Sequence, residues 1–252
     1  VDGTINTSNK KFCAGFVGGI INNGCTFTNC VSDVTINSSI NGDGTHGGLV
    51  AYVGKGNSTF EGCAFTGKLL GANTYYVGGL VGFTDSRNNA TVSFTNCVFH
   101  PQQVTMSGSG SQTFARWYGN NSGSVIIGAN CYYSQTLGAA QGKQMRSITG
   151  GDYVTVALSG NATTYERSGI SAYAVGIVFD SILYAGDGET VSLNLGCTPP
   201  SGYSFNGFIA SAGTLNGTGN PYTLTMPNEN VTIQAVLVNN SIEYIDGDGN
   251  TH

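Results

Sequence analysis

A cysteine returns at nearly constant intervals through the first half of this 252-residue chain: Cys30, Cys63, Cys97 and Cys131 stand 33, 34 and 34 residues apart. A chain that repeats a chemical pattern at such a period stacks copies of one structural unit, because no single copy can bury its own apolar face. The neighbouring residues travel with the cysteine. Phe27-Thr28-Asn29-Cys30, Phe60-Glu61-Gly62-Cys63 and Phe94-Thr95-Asn96-Cys97 are versions of one line, and Gly128-Ala129-Asn130-Cys131 is a decayed fourth. A second line runs ahead of it: Gly15-Phe16-Val17-Gly18, Gly47-Gly48-Leu49-Val50-Ala51 and Gly78-Gly79-Leu80-Val81-Gly82. The fourth copy, around Phe114-Ala115-Arg116-Trp117, has lost its glycines, as terminal repeats do.

Each repeat reads as strand, turn, strand, turn, strand, with strands predicted over residues 48–53, 58–65 and 68–70. Asn, Gly, Asp and Ser fill the gaps, where tight turns need them. One coil per repeat gives a parallel β-helix, in which each coil pairs its backbone with the coil below. Stacked Phe27, Phe60 and Phe94 would then contribute about 1.5–3 kcal/mol each on burial. Asn29, Asn96 and Asn130 are placed to form a ladder of side-chain amides at about 1 kcal/mol per hydrogen bond. The Gly-Gly pairs suit a corner where a Cβ would clash or where φ is positive. Alternation leaves two choices of inward face, one with Phe60, Gly62 and Ala64, the other with Thr59, Glu61 and Cys63. An antiparallel sandwich is the competing architecture, and it leaves four in-phase copies without a cause.

Thirty-nine glycines and only 9% charged residues favour strands joined by turns, and 40% hydrophobic residues suffice for a core. With nine Lys and Arg and a net charge of −5, there is no concentrated positive surface for nucleic acid, so that partner is not expected. No apolar run reaches membrane-spanning length, so no membrane insertion is expected. Neither an initiator methionine nor a signal peptide opens the chain, which reads as a segment of a longer protein. Seven cysteines is an odd number, and a repeat position explains four of them as a ladder of small buried side chains (Cys30, Cys63, Cys97 and Cys131). A disulfide framework is the alternative, and Cys13 and Cys25 are placed to pair across one turn. The lack of a C-x-x-C and the scattered histidines argue against zinc.

The period ends after Gly150-Gly151. Alternating runs follow at 153–158, 190–195, 203–208, 222–227 and 231–236, with a turn at Pro199-Pro200-Ser201-Gly202, so a small β-rich domain is predicted. The expected organisation is an all-β chain. A short parallel β-helix occupies residues 1–148, a small β-rich module residues 149–240, and a linker residues 241–252.

Two resemblances are specific. Gly78-Gly79-Leu80-Val81-Gly82 and Cys63-Ala64-Phe65-Thr66-Gly67-Lys68-Leu69 resemble the two halves of the GLUG repeat, over about residues 1–144. That repeat occurs in large secreted and surface proteins of bacteria, often ones assigned to adhesion, and the resemblance implies a right-handed β-helical stalk or platform. Residues 202–208 with 222–236 are similar to the divergent internalin-type B-repeat of bacterial surface proteins, where the position of Phe208 is usually Trp.

The chemistry available is sparse. The acids of the repeat region, Asp2, Asp33, Asp43, Glu61 and Asp85, show no paired-carboxylate pattern, and several sit among turn residues. No catalytic residue is assigned and no cofactor is expected. Asp246, Asp248 and Asn250 have the alternate spacing of a calcium loop but lack its later bidentate acid, so they read as linker and no metal ligand is assigned. The aromatic pairs Tyr75-Tyr76, Trp117-Tyr118 and Tyr132-Tyr133 each direct neighbouring rings to opposite strand faces. Trp117, Tyr118, Tyr75 and Tyr132 are therefore the ligand-binding candidates, for a sugar or a protein partner. The competing reading is that these rings cover the open end of the β-helix. The expected function is a non-enzymatic, extracellular scaffold or adhesion segment of a bacterial cell-surface protein. Its partner would be a host or bacterial surface protein or a glycan. The alternative is a carbohydrate-binding or carbohydrate-active β-helix protein of lyase or hydrolase type.

Overall fold

In the computed structural model, every strand pair among the described residues of the first unit, Val1–Met145, is parallel. The structure describes residues 1–119, 121–156, 162–165, 170–173, 177–179, 182–195, 198–219 and 221–240. Its second unit is Arg146–His252. The chain is all-β, with two single-turn 3-10 segments at Ser86–Asn88 and Ser122–Ser124 as the described exceptions.

The first unit is a β-helix of about four turns. One face carries Val50–Val53, Val81–Thr84 and Ala115–Trp117, and bridges at Val17↔Val50 and Ile20↔Val53 extend it one coil further. The next carries one strand per coil: Thr26–Thr28, Asn57–Glu61, Thr91–Thr95 and Val125–Ile127. The third is an eight-stranded sheet that includes Val31–Ser38, Ala64–Phe65, Val98–Phe99 and Tyr132–Tyr133, with Asp2–Thr7 paired against Val31–Ser38. Like residues then fall above like. Phe27, Phe60 and Phe94 are register partners, with ring centroids 4.9 and 5.0 Å apart and planes within 19° of parallel. Phe114 closes this column edge-on at 5.4 Å. Phe60 and Phe94 are buried, while Phe27, nearer the first coil, is half-buried.

The predicted strand over 58–65 is interrupted, and the interruption decides the inward face. Asn29, Gly62, Asn96 and Asn130 occupy the same place in successive coils, with φ of 53°, 64°, 54° and 54°. This left-handed residue turns the corner between faces and resets the alternation. Ser58 and Phe60 point inward before it, and Cys63 points inward after it. Neither of the two simple alternations holds across the corner. The asparagine side chains are linked where two are adjacent: Asn130 Nδ2 donates to Asn96 Oδ1 at 2.9 Å. Gly62 has no side chain to continue the series. The thiols serve the same corner. Cys63 Sγ lies 3.4 Å from the carbonyl oxygens of Phe27 and Glu61, and Cys97 Sγ lies 3.3 Å from those of Phe60 and Thr95. Cys63, Cys97 and Cys131 are buried and Cys30 is half-buried. All six described cysteines are free thiols, so Cys13 and Cys25 are not bridged, and Cys197 lies outside the described residues.

The Gly-Gly corners are set by close approach. A Cβ on Gly48 would stand 2.4 Å from the Gly79 carbonyl oxygen and 2.5 Å from the Phe65 ring, and one on Gly79 would stand 2.0 Å from the Thr113 oxygen. Backbone passes over backbone there with no room for a methyl. At the last coil the unpaired edge is closed by a side chain. Gln141 Oε1 accepts from the Phe114 and Ala115 N–H groups at 2.8 and 2.7 Å, and Gln141 Nε2 donates to the Ala115 carbonyl at 2.9 Å. One amide thus reproduces the bonds of a missing fifth coil.

The second unit holds a six-stranded mixed sheet and a four-stranded antiparallel sheet. Arg146–Val156, which crosses the predicted boundary at residue 148, pairs parallel with Val231–Asn239 and antiparallel with Ile182–Ala185. Tyr203–Ala210 pairs with Val231–Asn239 through a bulge between Phe205 and Gly207. Leu193, Leu224, Ile233, Ala235 and Leu237 are central to the core. Phe208, at the position where Trp is usual, packs edge-on against Phe205 at 4.9 Å and Tyr222 at 5.6 Å. The acidic tail with Asp246, Asp248 and Asn250 lies outside the described residues.

Candidate functional site: an aromatic and arginine cleft

The outer side of the first face carries aromatic rings at the same place in successive repeats. In Val50–Val53 the alternation sends Tyr52 outward, and Phe83 is its register partner one coil on. Their rings stack at 6.1 Å and 8°. Phe12 meets Tyr52 edge-on at 5.7 Å, and Tyr118 meets Phe83 edge-on at 6.4 Å. The row thus runs up the coils from Phe12 to Tyr118, whose exposures are 47% and 46%.

The last coil departs from the pattern. Val81 pairs with Ala115 but Thr84 pairs with Trp117, so the register slips between them. The slip brings Arg116 against the aromatic row. Its guanidinium lies 4.8 Å from the Tyr76 ring centroid and 5.3 Å from that of Phe83, and Nη1 donates to the Tyr76 carbonyl. The Arg116 side chain is only 12% exposed and stands 3.8 Å from Asp43 Oδ1. Burial lowers the Arg116 pKa from its ordinary value, and the Asp43 carboxylate opposes that. Asp43 also accepts from Lys11 Nζ at 3.0 Å and from Thr45 at 2.8 Å.

A second arginine is held from the other side. Asp85 is buried and caps the 3-10 turn Ser86–Asn88. It accepts from Arg87 Nε at 2.8 Å, Arg87 Nη2 at 2.9 Å, the Tyr52 hydroxyl at 3.0 Å and Asn88 Nδ2 at 3.2 Å. Arg87 first, and then the Tyr52 hydroxyl, depress the Asp85 pKa against the opposing effect of burial, and Asp85 raises that of Arg87. Thus fixed, the Arg87 guanidinium lies 4.1 Å over the Tyr118 ring. Tyr76, Phe83, Gln112, Arg116, Trp117 and Tyr118, with Gly110 and Gly119, enclose a cleft of about 370 Å³.

Of the ligand-binding candidates, Trp117 and Tyr118 line this cleft, and Tyr75 abuts it through Tyr76, ring centroids 5.0 Å apart. Tyr132 does not take part. It is fully buried and so presents no face to a ligand; its register partners are Val98 and, one coil further, Ala64, while the neighbouring Tyr133 packs against the core. Arg116, Arg87, Phe83 and Tyr52 were not among the sequence candidates, and Asp85 was read there only as an acid among turn residues. A signal for two of them was present: Gly48-Leu49-Val50-Ala51-Tyr52 and Gly79-Leu80-Val81-Gly82-Phe83 repeat the aromatic as well as the glycines. Among the described residues no group of three or more His, Cys, Asp or Glu side chains is arranged to hold a metal ion.

Residues 169–241 match the family model described as the divergent InlB B-repeat domain. The match lies within the second unit and takes in the strands from Ile170–Tyr173 to Val231–Asn239, leaving Arg146–Val156 outside it. No curated protein and no solved structure matches the chain. Over residues 169–241 the second unit is therefore similar to a repeat domain of that type. No helix among the described residues is long and apolar enough to cross a membrane.

Proposed function

We propose that this chain is a non-enzymatic, extracellular scaffold segment of a bacterial cell-surface protein, in which GLUG-like coils form a rigid platform followed by a B-repeat module. The observation that carries this reading is the B-repeat match over residues 169–241, since such repeats belong to surface proteins. The use made of the acids supports the non-enzymatic part. Asp43 is engaged by Lys11, Thr45 and Arg116, and Asp85 by Arg87, Tyr52 and Asn88, so both carboxylates serve structure. Carboxylates working as acid and base in glycoside hydrolysis face one another across about 5–9.5 Å with a substrate between them.

Display is tested by brief proteolysis of intact cells that produce this protein. Peptides from residues 146–240 should be released before lysis; their recovery from lysate alone would reject the surface reading. The non-enzymatic part is tested separately, by incubating the chain with a polysaccharide panel. Reducing-sugar release above that of a heat-denatured control would reject it.

A further inference from the structure

We propose that the cleft between Tyr76 and Tyr118 is a binding site for a neutral saccharide. The shape comes first. At about 370 Å³ it lies at the small end of the range for ligand pockets, about 300–1,000 Å³. A mono- or disaccharide fits such a volume, whereas a protein partner needs a broad surface of about 800 Å² on each side.

The lining then selects the chemistry. Tyr118 and Tyr76 leave 46% and 41% of their surface open, and Phe83 and Trp117 add two further rings. Aromatic faces receive the C–H face of a pyranose, while an apolar body with a polar tip, as in Tyr and Trp, tolerates its hydroxyls. Gln112 supplies an amide that both donates and accepts, and Arg116 supplies a planar set of donors. Hydroxyl groups need that mixture, and a purely apolar ligand would leave it unsatisfied.

The charges give an acidic ligand little to hold. Arg87 is neutralised by two bonds to Asp85, and Arg116 and Lys11 share the single carboxylate of Asp43, so one net positive charge is left in this group. Both guanidiniums are also occupied by aromatic faces, Arg87 by Tyr118 and Arg116 by Tyr76 and Phe83. Arg87 spends its Nε–Nη2 fork on Asp85, and the Arg116 side chain is only 12% exposed, so neither of these arginines offers an open fork to clamp a carboxylate or sulfate in the bidentate manner such a ligand rewards. Preorganisation completes the case: Phe83, Arg116 and Trp117 stand on paired strands, Tyr76 and Tyr118 directly follow the strands Thr74–Tyr75 and Ala115–Trp117, and each arginine is held before a ligand arrives, so little side-chain freedom is lost on binding.

The site stands whether or not the chain is displayed on a cell, because it is measured on the isolated protein. Trp117 is the sole tryptophan of the chain and lines the cleft, so its fluorescence reports directly on occupancy. The experiment titrates the intact chain with cellobiose, maltose, lactose and N,N′-diacetylchitobiose, and with sialyllactose and digalacturonate as acidic probes. A saturable change in Trp117 emission with at least one neutral disaccharide is expected, insensitive to salt between about 50 and 500 mM (a roughly threefold shorter screening length is immaterial for an uncharged ligand). Tyr118→Ala, at an exposed position, should weaken that binding roughly tenfold or more, and Gln112→Ala should do the same. Unchanged far-ultraviolet circular dichroism and denaturation midpoints certify that each variant is folded. Saturable binding of the acidic probes alone, lost with salt, would overturn the neutral assignment. No response to any of the six sugars, or undiminished binding in both folded variants, would overturn the site.

Discussion

The corner residues and a buried histidine show how single side chains carry the coil. Gly62 stands in a column otherwise made of Asn29, Asn96 and Asn130, all left-handed, and its absent amide leaves a gap between two otherwise linkable neighbours. A Cβ at Gly62 would clash with the Asn29 side-chain oxygen, at 2.2 Å, which is the movable end of a flexible group, while its next neighbours stand at 3.4 Å or more. Gly62→Asn is therefore expected to be tolerated, changing stability by no more than about 1 kcal/mol and in the stabilising direction once Asn29 rotates to pair with it. Gly79→Ala is expected to cost about 1–3 kcal/mol, because there the obstacle is the Thr113 backbone. Urea midpoints of the two variants check both. His46 is fully buried, accepts the Cys13 N–H at Nδ1 at 3.2 Å and has Nε2 3.0 Å from Ser38 Oγ. Burial lowers its pKa from 6.5 to about 4, against the opposing pull of Asp43. The unfolded chain thus binds a proton between pH 6.5 and about 4 that the folded chain refuses. This stabilisation is complete above pH 6.5 and is lost as pH falls toward about 4, by an amount on the order of 3 kcal/mol. Denaturation midpoints measured across that window should fall with acidification, and His46→Gln should flatten the trend.

At the scale of the element, stability is unequal along the aromatic column and at the last strand edge. Phe60 is buried between Phe27 and Phe94, whereas Phe27 is half-buried. Phe60→Ala should cost about 3–5 kcal/mol and Phe27→Ala clearly less, as read from equilibrium unfolding. Gln141→Ala removes three hydrogen bonds from the edge of Ala115–Trp117. It should destabilise the last coil by about 1–3 kcal/mol and speed amide exchange at Phe114 and Ala115 before any change in the middle coils. Much of this level was legible in the sequence. The phase of the Phe-x-x-Cys line fixed which residues stack, because coils lying one on another place equal positions in contact. The strand over 58–65 was misread because alternation is a rule for continuous strands, and a left-handed corner at Gly62 breaks it. The end cap was illegible because Gln141 acts through a long-range match to a backbone edge, with no local pattern to mark it.

In the whole molecule the first unit is quasi-one-dimensional: each coil contacts its neighbours, and stability spreads from the middle outward. Backbone amides of Asn57–Glu61 and Thr91–Thr95, flanked on both sides, should exchange more slowly than those of Val125–Ile127, which lies at the end of its sheet. Hydrogen exchange with mass spectrometry reads this directly, and uniform protection across the coils would contradict the stacked arrangement. The candidate site belongs to this scale. Trp117 and Tyr118 were visible as candidates, but Arg116 meets the Tyr76 carbonyl across 40 residues through a slip in one strand register. The second unit has a counterpart in the parallel pairing of Arg146–Val156 with Val231–Asn239, which alternating runs alone do not specify. The amino-acid sequence by itself determined the period, the number of coils and the column of like side chains, since these follow from residues recurring along the chain. The tertiary structure alone decided which way each strand faces past its corner, where the last coil slips, and hence which aromatic rings and cations share a cleft. The reason is physical: periodicity is written in neighbouring residues, whereas register is settled by backbone and side-chain contacts between segments tens of residues apart.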